Sequence, residues 1–197
     1  MRAAPENLRR TILDASLGLI AAEGLEGFSM REVARRAGVS HQAPYHHFPD
    51  RETIMAAIVA EGFQRLRDNS LAALEGVEDP FERLSAIGRA YVKFALNNPA
   101  HFKLMFRSEH VREDRHDEAK ACALGAFDVL VMVAGEVAAR NGHHDRTVLL
   151  TAWSTVHGLA TLLLEGKLEK AIGAGGASDA AVDRVIAMLE RLLRADA

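Results

Sequence analysis

Apolar residues recur every three or four positions along almost the whole chain, which is the spacing of the buried face of an α-helix. Ile12, Ala15 and Leu19 set this pattern near the N-terminus, and Leu84 and Ile87 repeat it further along. We find no segment in which apolar and polar residues alternate as in a half-buried strand, and only five prolines interrupt the 197 residues. The pattern therefore predicts an all-α protein of about nine helices.

Turn residues divide the predicted helices into two groups. Pro49 ends the third helix of a compact domain at residues 1–49. A larger helical bundle occupies residues 50–197, and its first helix, from Asp50 to Leu74, connects the two domains. The stretch from Gly173 to Gly176 follows no predicted strand, so we interpret it as a linker between the last two helices rather than as a nucleotide-binding loop.

The cellular compartment is suggested by three features. Cys122 is the single cysteine, so no disulfide can form within one chain, which favours a reducing cytoplasm. The polar N-terminus MRAAPENLRR lacks the apolar core of a signal peptide. The stretch from Thr147 to Leu164 carries no charged residue, but it contains Thr151, Ser154 and His157, which favours a buried helix over a membrane span. We expect a cytoplasmic protein with no membrane partner.

Two short helices joined by a tight turn are predicted between residues 29 and 48. Ser29 and Glu32 form a capping-box pattern, in which each side chain satisfies a backbone N–H of the other residue. Gly38-Val39-Ser40 is a three-residue turn, in which Ser40 can cap a helix from His41 to Phe48. Two such helices packed on a preceding one form a helix-turn-helix, which offers its second helix to the DNA major groove.

The second helix of this pair is too short and too polar to belong to a core. Gln42 can read an adenine edge and Ala43 can contact a thymine methyl group, while Arg31 suits a phosphate. Residues 1–51 carry seven Arg or Lys against six Asp or Glu, so contact with DNA must depend on the position of a few groups. The predicted DNA-binding residues are Ser29, Arg31, Ser40, His41, Gln42, Ala43, Tyr45, His46, His47 and Arg51.

The stretch from Phe28 to Ile58 resembles the tetracycline-repressor (TetR) family of transcriptional regulators. The turn at Gly38-Val39-Ser40, the pair His47-Phe48 and the polar start Asp50-Arg51-Glu52 all match the family's pattern. The family more often has Leu or Ile at Pro44, but Pro44 lies in the first turn of its predicted helix, so we expect the helix to tolerate it. The resemblance implies base contacts from His41, Gln42 and Ala43, and phosphate contacts from Ser29, Tyr45, His47 and Arg51.

A second resemblance lies near the C-terminus. Trp153 followed by Val156-His157-Gly158 is similar to the WHG-type C-terminal domain of one large TetR subgroup. For the rest of the chain, the family resemblance implies an all-helical regulatory domain, dimerisation through the last two long helices and release from DNA on binding a ligand.

The last two predicted helices, from about Asp145 to Leu168 and Ser178 to Arg194, carry more apolar residues than one buried face needs. Two such helices from each of two subunits can form a four-helix interface. The alternative, that both helices pack only within one chain, stays open. The predicted dimer contacts are Val156, Ala160, Leu163, Val185, Leu189 and Leu192.

Aromatic residues and methionines of the second domain are candidates for an effector pocket, although such stripes are usually core. Trp153 and His157 lie one helical turn apart, so both can face it. The predicted pocket residues are Phe94, Phe102, Met105, Phe106, Phe127, Trp153 and His157.

Metal and enzyme chemistry find little support. His101, His110, His116, His143, His144 and His157 all lie in the second domain. We find no pair of them four residues apart on one helix beside a carboxylate, so we expect neither a metal site nor a cofactor. The chain also lacks a nucleophile elbow and a phosphate loop, so we do not expect an enzyme.

These observations predict a DNA-binding repressor that a small apolar or amphipathic effector releases from a palindromic operator. A homodimer would hold two reading elements about one DNA turn apart, roughly 34–36 Å. Two alternatives stay open: a metal-responsive or ligand-independent regulator with the same DNA-binding domain, and a helical interaction module that does not bind DNA.

Overall fold

The computed structural model describes residues 5–107, 111–112, 115–142, 146–168 and 179–195. Within these ranges the chain forms eight α-helices, one 3-10 helix and no strand, which confirms the predicted all-α fold. The elements are α1 (Pro5–Glu23), α2 (Met30–Arg36), η1 (Ala43–His46), α3 (Arg51–Ala73), α4 (Pro80–Asn97), α5 (Pro99–Met105), α6 (Asp117–Arg140), α7 (Thr147–Leu164) and α8 (Asp179–Ala195).

The chain divides into two compact units. The first comprises Met1–Phe63 and Asn98–Ala123, and the second comprises Gln64–Asn97 and Leu124–Ala197. This division differs from the predicted boundary after residue 49, because α5 packs against α1 and so joins the first unit. Packing between helices distant in the chain, rather than turn residues, sets the division.

In the first unit, α1 packs against both α2 and α5. Leu19 of α1, Val33 of α2 and Ile58 of α3 are buried, as helical periodicity predicts for their inner faces. The predicted capping box at α2 is only half formed. Ser29 accepts a hydrogen bond from the Glu32 backbone N–H (3.2 Å), but the Glu32 carboxylate binds arginines instead of returning to the Ser29 backbone.

In the second unit, α4 packs against α7 and α8. The Asp79 carboxylate begins α4 by accepting hydrogen bonds from the backbone N–H groups of Phe81 (3.1 Å) and Glu82 (3.0 Å). Arg194 of α8 donates to the same carboxylate (2.6 Å), and its guanidinium lies 4.6 Å from the centre of the Phe81 ring. The C-terminal helix is thus held at the start of α4.

The long apolar helices end close to where the sequence predicts. α7 ends at Leu164 rather than near Leu168, because Gly166 adopts a positive φ of 63° that terminates the helix. α6 and α7 are long and apolar enough to span a membrane by length and composition alone, but α7 packs against α4 and α8. The predicted linker from Gly173 to Gly176 lies outside the described residues.

Candidate nucleic-acid interface

The segment predicted to contact bases forms a single 3-10 turn, Ala43–His46, which we call the reading turn. The prediction of a helix from His41 to Phe48 is therefore wrong in type and length. Its backbone bonds span three residues: Ala43 N–H donates to the Ser40 carbonyl (3.0 Å) and Tyr45 N–H to the Gln42 carbonyl (3.2 Å). Pro44 is the physical reason, because its ring fixes φ and it has no N–H to donate into a helix. The predicted side-chain cap is also absent at the start of this turn, where Ser40 contributes its carbonyl.

Two buried side chains anchor this turn to the first unit. Pro44 is buried, and Phe48 is only 2% exposed. The guanidinium of Arg9 on α1 lies 5.3 Å from the centre of the Phe48 ring. These buried side chains therefore hold the turn against the rest of the first unit.

The polar side chains of the turn point away from these anchors. His41, Gln42, Tyr45 and His46 are exposed, and the rings of His41 and Tyr45 lie 5.9 Å apart. Ala43 and His47 are partly buried. Donors, acceptors and aromatic rings thus share one accessible surface, as reading of base edges and phosphates requires.

The arginines beside the turn fall into two classes. Arg35 and Arg36 of α2 both donate to the Glu32 carboxylate, and they hold the pKa of that group at about 2. Arg31 and Arg51 are exposed and have no carboxylate partner among the described residues. Arg31 and Arg51 therefore each offer a positive charge to a phosphate, as does Arg9, which is exposed beside Phe48.

The first turn of α3, which carries Arg51, is held by its own carboxylates. Asp50 accepts hydrogen bonds from the backbone N–H and the hydroxyl of Thr53, both at 2.8 Å, and these bonds lower its pKa. Glu52 accepts a bond from the Arg112 backbone N–H (3.1 Å) and lies 3.3 Å from His116 Nε2. Sequence analysis missed this contact, because no local pattern links residues 60 positions apart.

The predicted pocket residues fall into two groups. Phe102, Met105 and Phe106 belong to the first unit, where the rings of Phe102 and Phe106 lie 5.1 Å apart. The other group is in the second unit, where the Phe127 and Trp153 rings lie 5.6 Å apart. Its members are Phe94, Phe127, Trp153 and His157.

Tyr91, which is not among the predicted pocket residues, joins the second group. Its hydroxyl lies 2.7 Å from Nδ1 of His157. Burial raises the pKa of Tyr91 well above its ordinary range. Burial also lowers the pKa of His157, so this imidazole is neutral at pH 7.

The predicted dimer contacts are partly wrong. Val156 and Ala160 are 7% and 0% exposed within the chain itself, so a partner cannot reach them. Val156 packs instead in a cluster with Val92, Val182 and Ile186.

The remaining predicted dimer contacts differ in exposure. Leu163 and Leu189 are partly buried, whereas Val185 and Leu192 are exposed. Met188, which sequence analysis missed, is exposed on the same face of α8.

No cluster of three metal-ligating side chains occurs in the part of the chain that the structure describes. His110, His143 and His144 lie outside that part.

Comparison with known proteins places two family models on this chain. Residues 12–58 match the model described as "Bacterial regulatory proteins, tetR family", and residues 84–193 match "Tetracyclin repressor-like, C-terminal domain". The first covers the reading turn and its supporting helices, and the second covers more than half of the chain.

Individual relatives agree. The chain is 36% identical over 81 residues to the HTH-type transcriptional regulator BetI of Rhizobium meliloti (strain 1021), a match that spans 41% of this chain and 40% of that protein. A protein of unknown function from Rhodococcus sp. RHA1 is 30% identical, with a TM-score of 0.76 over 98% of this chain and 94% of its own. A tetR-family regulatory protein from Rhodococcus RHA1 shares the fold at 18% identity, with a TM-score of 0.76 over 94% of this chain and 96% of its own.

Proposed function

Because the chain belongs to the TetR family of bacterial regulatory proteins, we propose that it is a DNA-binding transcriptional repressor that a small-molecule effector releases from a palindromic operator. The observation that carries this proposal is the segment from Gln42 to Phe48, in which Pro44 and Phe48 are buried while Gln42 and Tyr45 are exposed. As a regulator of transcription, it acts in the cytoplasm.

The charge distribution supports recognition by position. The whole chain has a net charge of −3, so it does not attract DNA as a strongly basic protein would. Arg31 and Arg51, which lack carboxylate partners among the described residues, can each neutralise a phosphate. Gln42 between them supplies the bidentate donor and acceptor that match an adenine edge.

A homodimer is supported by the outer faces of the last two helices. Val185, Met188 and Leu192 project from one side of α8, and each is exposed in the single chain. The exposed positions of α7 include Thr151 and Ser154, which are small enough for close approach of a second helix. A second copy of the chain would cover these apolar side chains and pair two reading turns on one operator.

Aromatic side chains support a small apolar or amphipathic effector. Phe127 and Trp153 meet edge to face in the second unit, and His157 adds a polar group beside them. An effector shifts the protein between DNA-binding and released states only by its difference in affinity for the two, and a few kcal/mol suffices.

Selection from random double-stranded DNA followed by fluorescence anisotropy tests the proposal. The purified protein is expected to enrich a palindromic sequence and to bind it at moderate salt. Gln42→Ala is expected to lower the ratio of specific to non-specific affinity by about tenfold or more, because a bidentate base contact contributes about 1–3 kcal/mol.

Gln64→Ala is the matched control, since Gln64 is an exposed glutamine on α3 whose amide donates to Asp68 in the same helix. Failure to enrich any palindrome, or equal effects of the two variants, would contradict the proposed function.

A further inference from the structure

Three side chains from two helices lie together in the second unit. Tyr91 projects from α4, and Trp153 and His157 lie one turn apart on α7. The Tyr91 hydroxyl is 2.7 Å from His157 Nδ1, and the centre of the imidazole ring lies 6.2 Å from that of Tyr91 and 6.3 Å from that of Trp153. The imidazole is thus held between two aromatic rings by a short polar contact.

The chemistry of Tyr91 and His157 gives their contact a direction. A phenol O–H is a stronger donor than an imidazole N–H, and a pyridine-type nitrogen is a better acceptor than a phenol oxygen, so the contact favours the Tyr91 hydroxyl as donor. The phenol has one proton to donate, and Nδ1 of His157 lies at hydrogen-bond distance. If Nδ1 accepts that proton, the hydrogen of the neutral imidazole must be on Nε2.

We propose that Tyr91 is a positioning residue for His157, holding its imidazole in the tautomer that carries the hydrogen on Nε2. The Tyr91 hydroxyl donates to His157 Nδ1, so a tyrosine of α4 orients the histidine of the C-terminal motif on α7.

Burial favours a protonated Tyr91 and a neutral His157, which the hydrogen bond from Tyr91 to Nδ1 requires. Desolvation lowers the pKa of His157, which keeps the ring neutral and leaves it one N–H. Desolvation raises the pKa of Tyr91, which keeps the phenol protonated and able to donate. A charged imidazole would donate from both nitrogens, so Nδ1 could not accept a hydrogen bond from the Tyr91 hydroxyl.

The tautomer has a consequence for the effector, which rests on the proposed function. At Nε2 the imidazole is a donor, so an effector that contacts this nitrogen presents an acceptor, such as a carbonyl or carboxylate oxygen. Its apolar part would lie against Phe127 and Trp153, whose rings are 5.6 Å apart. An effector whose only polar group is an ammonium does not fit this arrangement, because ammonium groups only donate.

Long-range ¹H–¹⁵N NMR of the full-length protein at pH 7, without DNA or effector, tests the inference. The His157 signals are identified by their loss in His157→Gln. We expect a pyridine-type shift for Nδ1 and a pyrrole-type shift for Nε2. A pyrrole-type Nδ1 in the unmodified protein would overturn the proposal without any variant.

Tyr91→Phe removes only the hydroxyl and is expected to convert both His157 nitrogens to averaged shifts. Tyr45→Phe, at the other tyrosine of the chain, is the matched control and should leave them unchanged. Unchanged His157 shifts in Tyr91→Phe would also overturn the proposal. Because no DNA is present, either result is independent of whether the protein binds an operator.

Discussion

At the scale of single residues, the Glu32 carboxylate pairs with two arginines of its own helix, α2. It accepts hydrogen bonds from Arg35 (2.6 and 2.8 Å) and from Arg36 (3.1 Å). Arg36 in turn donates to the Glu23 side chain and to the Gly18 carbonyl (3.2 Å), both on α1. One carboxylate therefore orients the arginine that joins α2 to α1.

Replacing Glu32 by Gln is expected to change how stability depends on pH. The pKa of Glu32 is about 2 in the folded protein, against an ordinary value of 4.5. A lowered carboxylate pKa gives stability above the ordinary value and loses it as the pH falls toward the folded value. Glu32→Gln should thus unfold at lower urea at pH 7, and the difference should vanish between pH 4.5 and about 2.

Urea midpoints measured by circular dichroism at several pH values check this. Glu75→Gln is the control, because Glu75 is exposed in the turn after α3 and has no ion pair among the described residues. A constant difference between Glu32→Gln and the unmodified protein across the whole pH range would argue against the role of Glu32.

At the same scale, the sequence predicted some local contacts correctly and others wrongly. Ser29 was correctly predicted as a cap, because the Ser-x-x-Glu spacing is local. The reciprocal bond from Glu32 was wrong, because arginines on the next turn compete for its carboxylate. The α-helix from His41 to Phe48 was wrong, because Pro44 was expected to be tolerated in its first turn, whereas the structure forms a 3-10 turn there.

At the scale of elements, the crossing of α3 and α5 depends on a glycine. A Cβ added at Gly62 would lie 2.6 Å from the Met105 sulfur and 3.4 Å from the His101 Cβ. Met105 and His101 are both buried, so neither can move away freely. The absence of a side chain at Gly62 therefore lets the two helices approach.

Gly62→Ala is expected to lower the free energy of unfolding by about 1 kcal/mol or more, since the cost of overpacking exceeds the gain in helix propensity. Gly135→Ala is the matched control in α6, where an added Cβ meets no atom within 4 Å. That variant should raise stability by about 0.5–1 kcal/mol. Urea unfolding measures both, and a stabilised Gly62→Ala would contradict the close approach.

The helices themselves were predictable to within a few residues, because their periodicity and end signals are local. The Ser29 cap at the start of α2 is an example. The grouping of α5 with the first unit was not predictable, because it depends on packing against α1, nearly a hundred residues earlier. The same limit explains why Val156 was assigned to the wrong face of an apolar helix.

At the scale of the whole molecule, the exposed apolar residues of α8 argue for a second copy of the chain. Leu192 is 62% exposed, and burying a leucine contributes about 1.5–3 kcal/mol. A twofold interface buries each such residue twice. Leu192→Glu is therefore expected to raise the dimer dissociation constant at least about tenfold.

Sedimentation velocity over a range of concentrations checks the oligomeric state. Leu71→Glu is the matched control, because Leu71 is a leucine of α3 that is 41% exposed. A protein that sediments as a monomer without any substitution, or equal dissociation of the two variants, would contradict a dimer formed through α8.

The salt dependence of operator binding tests how many subunits contact phosphates. Each neutralised phosphate contributes about 0.9 to the slope of log affinity against log salt. Arg51 lies exposed at the start of α3 with its guanidinium 5.8 Å from the Phe28 ring centre, so its charge is positioned without a carboxylate among the described residues. Arg51→Gln should therefore reduce the slope by about 2 in a dimer, because each subunit loses one contact.

The Leu192→Glu variant, used at concentrations well below its dimer dissociation constant, separates the two contributions. On DNA carrying one half-site, adding Arg51→Gln to this background should reduce the slope by about 1. Arg140→Gln, at the exposed end of α6, should leave both slopes unchanged. A reduction of the same size in the dimer and in the monomer would mean that only one reading turn of the dimer contacts DNA, because two symmetric turns must lose two phosphate contacts.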